Sequence, residues 1–136
     1  MPITQRDFGK QAIHDHVVRL VAQQWAASMR YRMDANPGLE ENAWAGSSQT
    51  YPDLVGWTRQ GRHRTPVLIA EVETEETVNE IEAKDQWRLY GKLGVPFYLI
   101  VPRGYGVTAQ RLARRVGVTP CQIYEYAFIN RTLLLA

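Results

Sequence analysis

Three acidic residues stand where they could hold a divalent metal ion. Asp53 follows a Tyr-Pro pair, and Glu71 and Glu73 close an apolar run that begins at Val67. Mg²⁺ binds a few carboxylate oxygens and keeps several of its waters. A bound metal ion generates hydroxide and neutralises the charge that develops during cleavage of a phosphodiester. Asp53, Glu71 and Glu73 are therefore predicted to form a metal site suited to that chemistry.

Glu71 and Glu73 are predicted to point the same way, because side chains two apart on a strand share a face. Two carboxylates held this close repel each other unless a cation neutralises them. The alternative is a solvated strand end, since six of the nine Glu residues fall between positions 71 and 82. Acidic residues near a helix start also favour the helix dipole, but this does not explain Glu71, which directly follows a buried-looking run.

A second polar pair, Gln86 and Tyr90, is predicted to lie on one helix face, because residues four apart are neighbours there. The Gln amide can bind a base, a phosphate or the water of a metal ion, and the Tyr hydroxyl can bind phosphate. Lys84 is two residues from Gln86, which places it about 200° around the helix from that face.

The elements that must position these residues follow from hydrophobic periodicity. A long amphipathic helix is predicted from Asp7 to about Met33. Further helices are expected over Thr77–Leu93, with Thr74 or Thr77 as its cap and Gly94 as its stop, and near Gly106–Val116. Predicted strands cover Tyr51 to about Arg59, Pro66–Glu73, Val95–Pro102 and Gln122–Ile129, the first two joined by a turn over 60–63. The strand-helix-strand crossover implies a parallel pair, so we expect a layered α/β domain with a mixed sheet.

Composition indicates one ordinary globular domain over residues 1–136. The chain is 45% hydrophobic and 22% charged, and it has neither an apolar stretch long enough for a membrane helix nor a signal-peptide core. We therefore expect no membrane partner and a cytoplasmic location. Cys121 stands alone, which excludes an internal disulfide and argues against structural zinc, so it is predicted to be a small packed hydrophobe.

The net charge of +2 does not by itself indicate a nucleic-acid-binding protein. However, thirteen of the sixteen basic residues are Arg, whose forked side chain binds phosphate in pairs of hydrogen bonds. Arg59, Arg62 and Arg64 cluster at the predicted turn and are candidates for phosphate contacts. Solvated loop and helix faces are the alternative explanation.

Other residues are weaker candidates for a functional role. His14, Asp15 and His16 are too close in sequence to bind one metal ion jointly from a helix. The four Trp residues are predicted to pack in the core or at a subunit interface, with stacking on bases as the alternative.

Taken in order, Pro52-Asp53, Glu71-Val72-Glu73 and Gln86-x-x-x-Tyr90 resemble the motifs of the PD-(D/E)XK nuclease superfamily, in particular its RecB-type and Holliday-junction-resolvase-like branches. The resemblance implies a restriction-endonuclease-like three-layer sandwich with an α-β-β-β-α-β core. It assigns Mg²⁺ or Mn²⁺ to Asp53, Glu71 and Glu73, with Gln86 and Tyr90 completing the catalytic set. It also suggests Asp15 as an acidic residue that the first helix adds to the site.

The family's usual Lys two positions after the second acidic residue is replaced by Glu73. Two hypotheses follow. The first is a metal-dependent endo- or exonuclease acting on nucleic acid, with DNA as the expected substrate. The second is a catalytically inactive module of the same fold that binds nucleic acid or dimerises. The resemblance also suggests a homodimer, since family enzymes that cut two strands often pair their sites.

Overall fold

A computed structural model describes residues 8–29, 31–35, 52–60 and 63–136, which form an α/β fold. The helices are α1 (Phe8–Met29), α2 (Glu80–Glu82), α3 (Arg88–Gly91) and α4 (Gly106–Arg115), and a π-helical turn (Ala83–Trp87) joins α2 to α3. The strands are β1 (Arg32–Ala35), β2 (Leu54–Gln60), β3 (His63–Val72), β4 (Phe97–Pro102), β5 (Gln122–Ile129) and β6 (Thr132–Leu135). We call residues 80–91 the crossover helix.

The six strands form one mixed sheet in the order β1-β2-β3-β4-β5-β6. Strands β3, β4 and β5 are parallel neighbours, and the remaining pairs are antiparallel. The crossover helix connects β3 to β4, as the apolar runs in the sequence predict. The predicted hairpin of β2 and β3 is also confirmed, with Leu54 opposite Ala70 and Gln60 opposite His63.

Alternate strand residues build two cores, one on each face of the sheet. Val17, Val18, Val21 and Trp25 of α1 pack on the face that presents Leu68, Ala70 and Val72. Ala83, Trp87 and Tyr90 of the crossover helix pack with Val55 and Ile69 on the other face, where Ala109 and Ala113 of α4 also lie. The sheet is therefore covered by helices on both faces. This two-sided burial explains why β3 and β4 are apolar at consecutive positions.

The first helix is shorter than the periodicity predicts. It ends at Met29, and residues 32–35 form strand β1, which pairs with β2. The prediction of a helix as far as Met33 is therefore wrong. Strand β6 was also not predicted.

The crossover helix begins later than expected and has a different cap. Asn79 accepts a hydrogen bond from the amide of Glu82 at 2.9 Å. Thr74 and Thr77 instead bind each other in the preceding turn, where the Thr74 amide donates to Thr77 Oγ1 at 2.9 Å. Gly94 follows the helix with a positive φ of 74°, which agrees with its predicted role as a stop.

Trp25, Trp57 and Trp87 are buried, as expected, and Trp44 lies outside the described residues. Cys121 is exposed, so the prediction that it packs in the interior is wrong. No helix among the described residues is long and apolar enough to cross a bilayer.

Candidate active site beside the end of strand β3

Asp53 and Glu71 are brought together by the pairing of β2 with β3. Asp53 directly precedes β2, and its neighbour Leu54 pairs with Ala70, which directly precedes Glu71. The Asp53 amide donates to Glu71 Oε1 at 3.0 Å. The Val72 amide in turn donates to Asp53 Oδ2 at 2.8 Å. Each carboxylate is thus anchored by a backbone amide of the other segment, and both residues are buried.

His14 of α1 also contacts the Asp53 carboxylate. Its Nε2 lies 3.1 Å from Asp53 Oδ2, and its Nδ1 lies 2.9 Å from Asp15 Oδ1. Asp15 Oδ1 also accepts from Gln11 Nε2 at 2.8 Å. A protonated imidazole donates to both carboxylates, whereas the neutral ring donates to only one. His14 therefore links Asp15 to Asp53 by hydrogen bonds, and this link to helix α1 holds the Asp53 carboxylate in one orientation.

Glu71 is held in an environment that disfavours its negative charge. Burial raises the pKa of the Glu71 carboxyl well above its ordinary value, and the nearby charges of Asp53 and Glu73 raise the pKa further. The hydrogen bond from the Asp53 amide lowers this pKa, but it does not offset the other effects. A cation bound beside Glu71 would remove this electrostatic conflict.

Glu73 lies just beyond β3 and is only 1% exposed. Its amide donates to the Ile100 carbonyl at 2.8 Å, and its own carbonyl accepts from the Tyr126 hydroxyl at 2.9 Å. These bonds tie the segment after β3 to β4 and β5. Glu73 is therefore not a solvated strand end. Together with Asp53 and Glu71 it forms a buried cluster of carboxylates, which we call the acidic group.

Tyr90 faces this acidic group from the crossover helix, where it is 3% exposed. Burial raises the pKa of the Tyr90 phenol, and the charges of Glu71 and Asp53 raise the pKa further. The phenol therefore stays protonated at neutral pH. Gln86, one helical turn earlier, is half-buried.

The basic residues of interest within the described part of the chain do not join the acidic group. Lys84 is exposed, with Nζ 3.9 Å from Glu80 Oε1. Arg59 and Arg64 pair across the far end of the β2–β3 hairpin, roughly 20 Å along the strand from Asp53 at the usual rise per residue. Arg62 lies outside the described residues.

The acidic group does not form a complete protein cage for a metal ion. Within the described ranges, no cluster of three or more His, Cys, Asp or Glu residues has the arrangement of a metal site. Mg²⁺, however, is usually held by one or two carboxylates together with water and substrate phosphates. The linked pair Asp53 and Glu71 fits this sparser mode of binding.

Sequence reasoning missed His14 and Tyr126 as members of this site. His14 continues the buried stripe formed by Val17, Val18 and Val21 at spacings of three and four, and it is itself 2% exposed. A polar residue on the buried stripe of a helix needs a partner, and that signal was available. No comparable signal points to Tyr126, because its bond is to a backbone carbonyl from a distant segment.

The contacts of His14 give a prediction about stability. Replacing His14 with Ala should lower the free energy of unfolding by about 2 kcal/mol, because it leaves two buried or half-buried carboxylates with fewer donors and opens a cavity. Urea denaturation followed by Trp fluorescence measures the change. His16→Ala on the same helix is the matched control: His16 is exposed and stacks on Phe128, so a loss below about 1 kcal/mol is expected. Equal losses in the two variants would contradict the structural role of His14.

Comparison with known proteins does not assign the chain to a family. No family model matches the sequence, and neither a curated protein nor a solved structure matches it significantly. The structure itself defines an α/β protein whose described residues form a six-stranded mixed sheet.

Proposed function

We propose that this protein is a metal-dependent nuclease with a restriction-endonuclease-like core that hydrolyses phosphodiester bonds, with DNA as the first substrate to test. The observation that carries the proposal is the linked carboxylate pair. Both residues are buried: the Glu71 carboxylate accepts from the Asp53 amide, the Asp53 carboxylate accepts from the Val72 amide, and the charge of Glu73 lies close enough to raise the pKa of Glu71. Burying several acidic groups together is costly for folding unless a cation compensates.

In this proposal, Asp53 and Glu71 hold Mg²⁺ or Mn²⁺, and Glu73 lies beside them. A divalent ion held by these residues would activate a water for attack and would neutralise charge on the phosphate. His14 acts through Asp53 and keeps its carboxylate in one orientation. Tyr90 remains a neutral phenol, so its hydroxyl can donate a hydrogen bond toward an anionic substrate. Gln86 lies on the same helix and positions the nucleic-acid strand.

The second candidate function is a module of the same fold that binds nucleic acid, or pairs with another subunit, without cleaving. Glu73 favours it, because a carboxylate replaces the Lys that the resemblance leads one to expect and cannot supply its positive charge. Lys84 does not take over that role, since its ammonium group is exposed and lies near Glu80.

Cleavage and metal binding distinguish the two functions. The assay incubates labelled single-stranded, duplex and branched DNA, and a matching RNA, with Mg²⁺, with Mn²⁺ or with chelator. Isothermal titration of the same protein with Mn²⁺ measures metal binding independently of cleavage. An Asp53→Asn preparation purified in parallel excludes a contaminating nuclease.

The nuclease proposal predicts cleavage that requires both the metal ion and Asp53. Cleavage unaffected by Asp53→Asn would show that this site is wrongly assigned. If the folded protein binds nucleic acid in chelator but cleaves none of the substrates, and Mn²⁺ produces no binding heat, the second function replaces the first.

A further inference from the structure

A half-buried carboxylate, Glu82, lies in the first turn of the crossover helix. Its neighbours are exposed on one side, where Ile81 is 71% exposed, and buried on the other, where Ala83 and Trp87 are fully enclosed. Glu82 therefore lies at the border between the solvent and the core-facing side of the helix. Tyr90, which faces the acidic group, lies on the core-facing side of the same helix.

The π-helical turn brings Glu82 and Tyr90 into line. Residues eight apart on a regular α-helix are about 80° out of line around the axis. In the crossover helix the Arg88 amide donates to the Ala83 carbonyl, five residues earlier, and a turn of this kind accommodates one extra residue. Glu82 and Tyr90 are then related as residues seven apart on an α-helix are, with an offset of only about 20°. Both side chains therefore lie on one stripe of the helix.

This stripe lies close to the acidic group. Burial is the main cause of the raised pKa of Glu71, and the charge of Glu82 adds to that of the neighbouring carboxylates. Burial also raises the pKa of the Tyr90 phenol most, and the carboxylates of the acidic group and of Glu82 raise this pKa further. Tyr90 therefore lies within electrostatic reach of four carboxylates, of which Glu82 is the one that the crossover helix supplies.

The Tyr90 hydroxyl indicates that a polar ligand binds here. The side chain is 3% exposed, and among the described residues its hydroxyl has no hydrogen-bond partner. Buried tyrosine hydroxyls usually have one. A phenol oxygen can accept a hydrogen bond from a water molecule on a metal ion as well as donate one. A hydrated cation beside the carboxylates would therefore satisfy both their charge and this hydroxyl.

Helix α1 does not bring a further carboxylate to the acidic group. The family resemblance suggests Asp15 for that role, but the imidazole of His14 lies between Asp15 and Asp53, 2.9 Å from the first and 3.1 Å from the second. Gln11 also donates to Asp15. The additional acidic side chain near the group therefore comes from the crossover helix, on the opposite face of the sheet.

We propose that Glu82 accepts a hydrogen bond from a water molecule of the divalent cation that Asp53 and Glu71 hold, and so closes the cation site from the crossover helix. No three of the described acidic residues are arranged to bind one ion directly, and Mg²⁺ keeps several of its waters. Carboxylates that bind such waters strengthen metal binding without being direct ligands. The proposal rests on the cation site of the proposed function, and not on cleavage.

Isothermal titration of the full chain with Mn²⁺ tests the role of Glu82. Glu82→Gln should raise the Kd for Mn²⁺ about 10- to 100-fold, which is the usual cost of losing such a partner. Glu80→Gln is the matched control. Glu80 lies in the same first turn and interacts equally with the helix dipole, but its Oε1 lies 3.9 Å from both Lys84 Nζ and Arg115 Nη1 in an exposed position. It should change the Kd less than about threefold, because exposed charges are screened.

Thermal unfolding gives a second measurement that does not depend on the basal stability of a variant. Each protein is compared with itself in chelator and at one fixed concentration of Mn²⁺, since a ligand that binds only the folded state raises the Tm according to its affinity. The rise should be smaller in Glu82→Gln than in the wild type. In Glu80→Gln it should equal that of the wild type.

The results separate this proposal from the proposed function. If Mn²⁺ binds the wild type but not Asp53→Asn, and Glu82→Gln binds it as tightly as Glu80→Gln does, the role of Glu82 is wrong and the metal site stands. A wild-type protein that binds no Mn²⁺ would overturn both. Binding that depends on Glu82 without any cleavage supports the role of Glu82 and contradicts only the nuclease activity.

Discussion

Replacing Glu71 with Gln should abolish most metal-dependent cleavage if the protein is the proposed nuclease, and it should in either case stabilise the folded protein. The substitution removes a proposed metal ligand, and a loss of about 1,000-fold in rate is expected when several kcal/mol of charge stabilisation disappear. The Gln side-chain oxygen can still accept the hydrogen bond that the Asp53 amide gives to Glu71 Oε1. The buried charge is gone, however, and its conflict with Asp53 and Glu73 goes with it.

The stabilisation produced by Glu71→Gln should increase with pH, because the surroundings of Glu71 disfavour its ionised form. Burial and neighbouring carboxylates raise the folded-state pKa of Glu71 above its ordinary value of 4.5. The native state therefore binds this proton more tightly than the unfolded state does, so the contribution of Glu71 to stability is present below that ordinary value and is lost as the pH rises through the folded-state pKa. In Glu71→Gln this loss does not occur. The variant should thus be more stable than the wild type by about 1 to 2 kcal/mol at pH 8, with the difference shrinking toward pH 4.

Urea denaturation in chelator at several pH values measures this difference. Glu75→Gln is the control, because Glu75 is exposed, and it should change the free energy of unfolding by less than about 0.5 kcal/mol at each pH. Adding Mg²⁺ should stabilise the wild type at pH 8 and leave Glu71→Gln unchanged. If Glu71→Gln is no more stable than the wild type at pH 8, Glu71 is not the strained carboxylate that its surroundings indicate.

The central part of the fold could be predicted from the sequence because its pattern is strong. Strands β3 and β4 are buried on both faces, and the helix between them forces a parallel pair, so apolar runs and periodicity determined their type and order. The β2–β3 hairpin places Asp53 next to Glu71, and the predicted hairpin implies this neighbourhood.

The edges of the sheet could not be predicted in the same way. Met29 and Met33 are four apart, which continues the helical spacing of α1 and masks the point where the chain leaves the helix for β1. Strand β6 follows a two-residue turn of Asn130 and Arg131, both with positive φ. Hairpin turns of this kind usually contain Gly, and an Arg in that conformation gives no signal in the sequence.

The sequence predicted that Asp53 and Glu71 lie together, but it did not predict the contact that His14 makes with Asp53. Carboxylates near strand ends reveal themselves by type and spacing. The partner of a buried histidine, in contrast, depends on how α1 crosses the sheet, and the contact between His14 and Asp53 spans 39 positions. Long-range packing of this kind is set by tertiary structure and not by local periodicity.

Replacing Asp53 with Asn should also abolish the proposed cleavage, but it should lower the stability of the folded protein, whereas Glu71→Gln raises it. Asp53 Oδ2 accepts one hydrogen bond from the Val72 amide and lies 3.1 Å from His14 Nε2. Hydrogen bonds to a charged group contribute more than those to a neutral one. An Asn oxygen in the same place keeps the geometry and loses the charge, so we expect the free energy of unfolding to fall by about 1 to 2 kcal/mol at pH 7.

A double-mutant cycle assigns this loss to its cause. If the Asp53 charge acts through His14, then Asp53→Asn should cost less when it is made in a His14→Ala background, by an interaction energy of about 1 kcal/mol. Made in a Glu71→Gln background, Asp53→Asn should cost more than it does alone, because the repulsion that the Asp53 charge exerts on Glu71 is already absent. If Asp53→Asn alone stabilises the protein, the charges of both Asp53 and Glu71 destabilise the fold. The view that the fold supports the Asp53 charge and opposes the Glu71 charge would then be wrong. Opposite signs in the two single variants would instead mark Asp53 as the residue that the fold supports and Glu71 as the one whose charge is maintained for binding a cation.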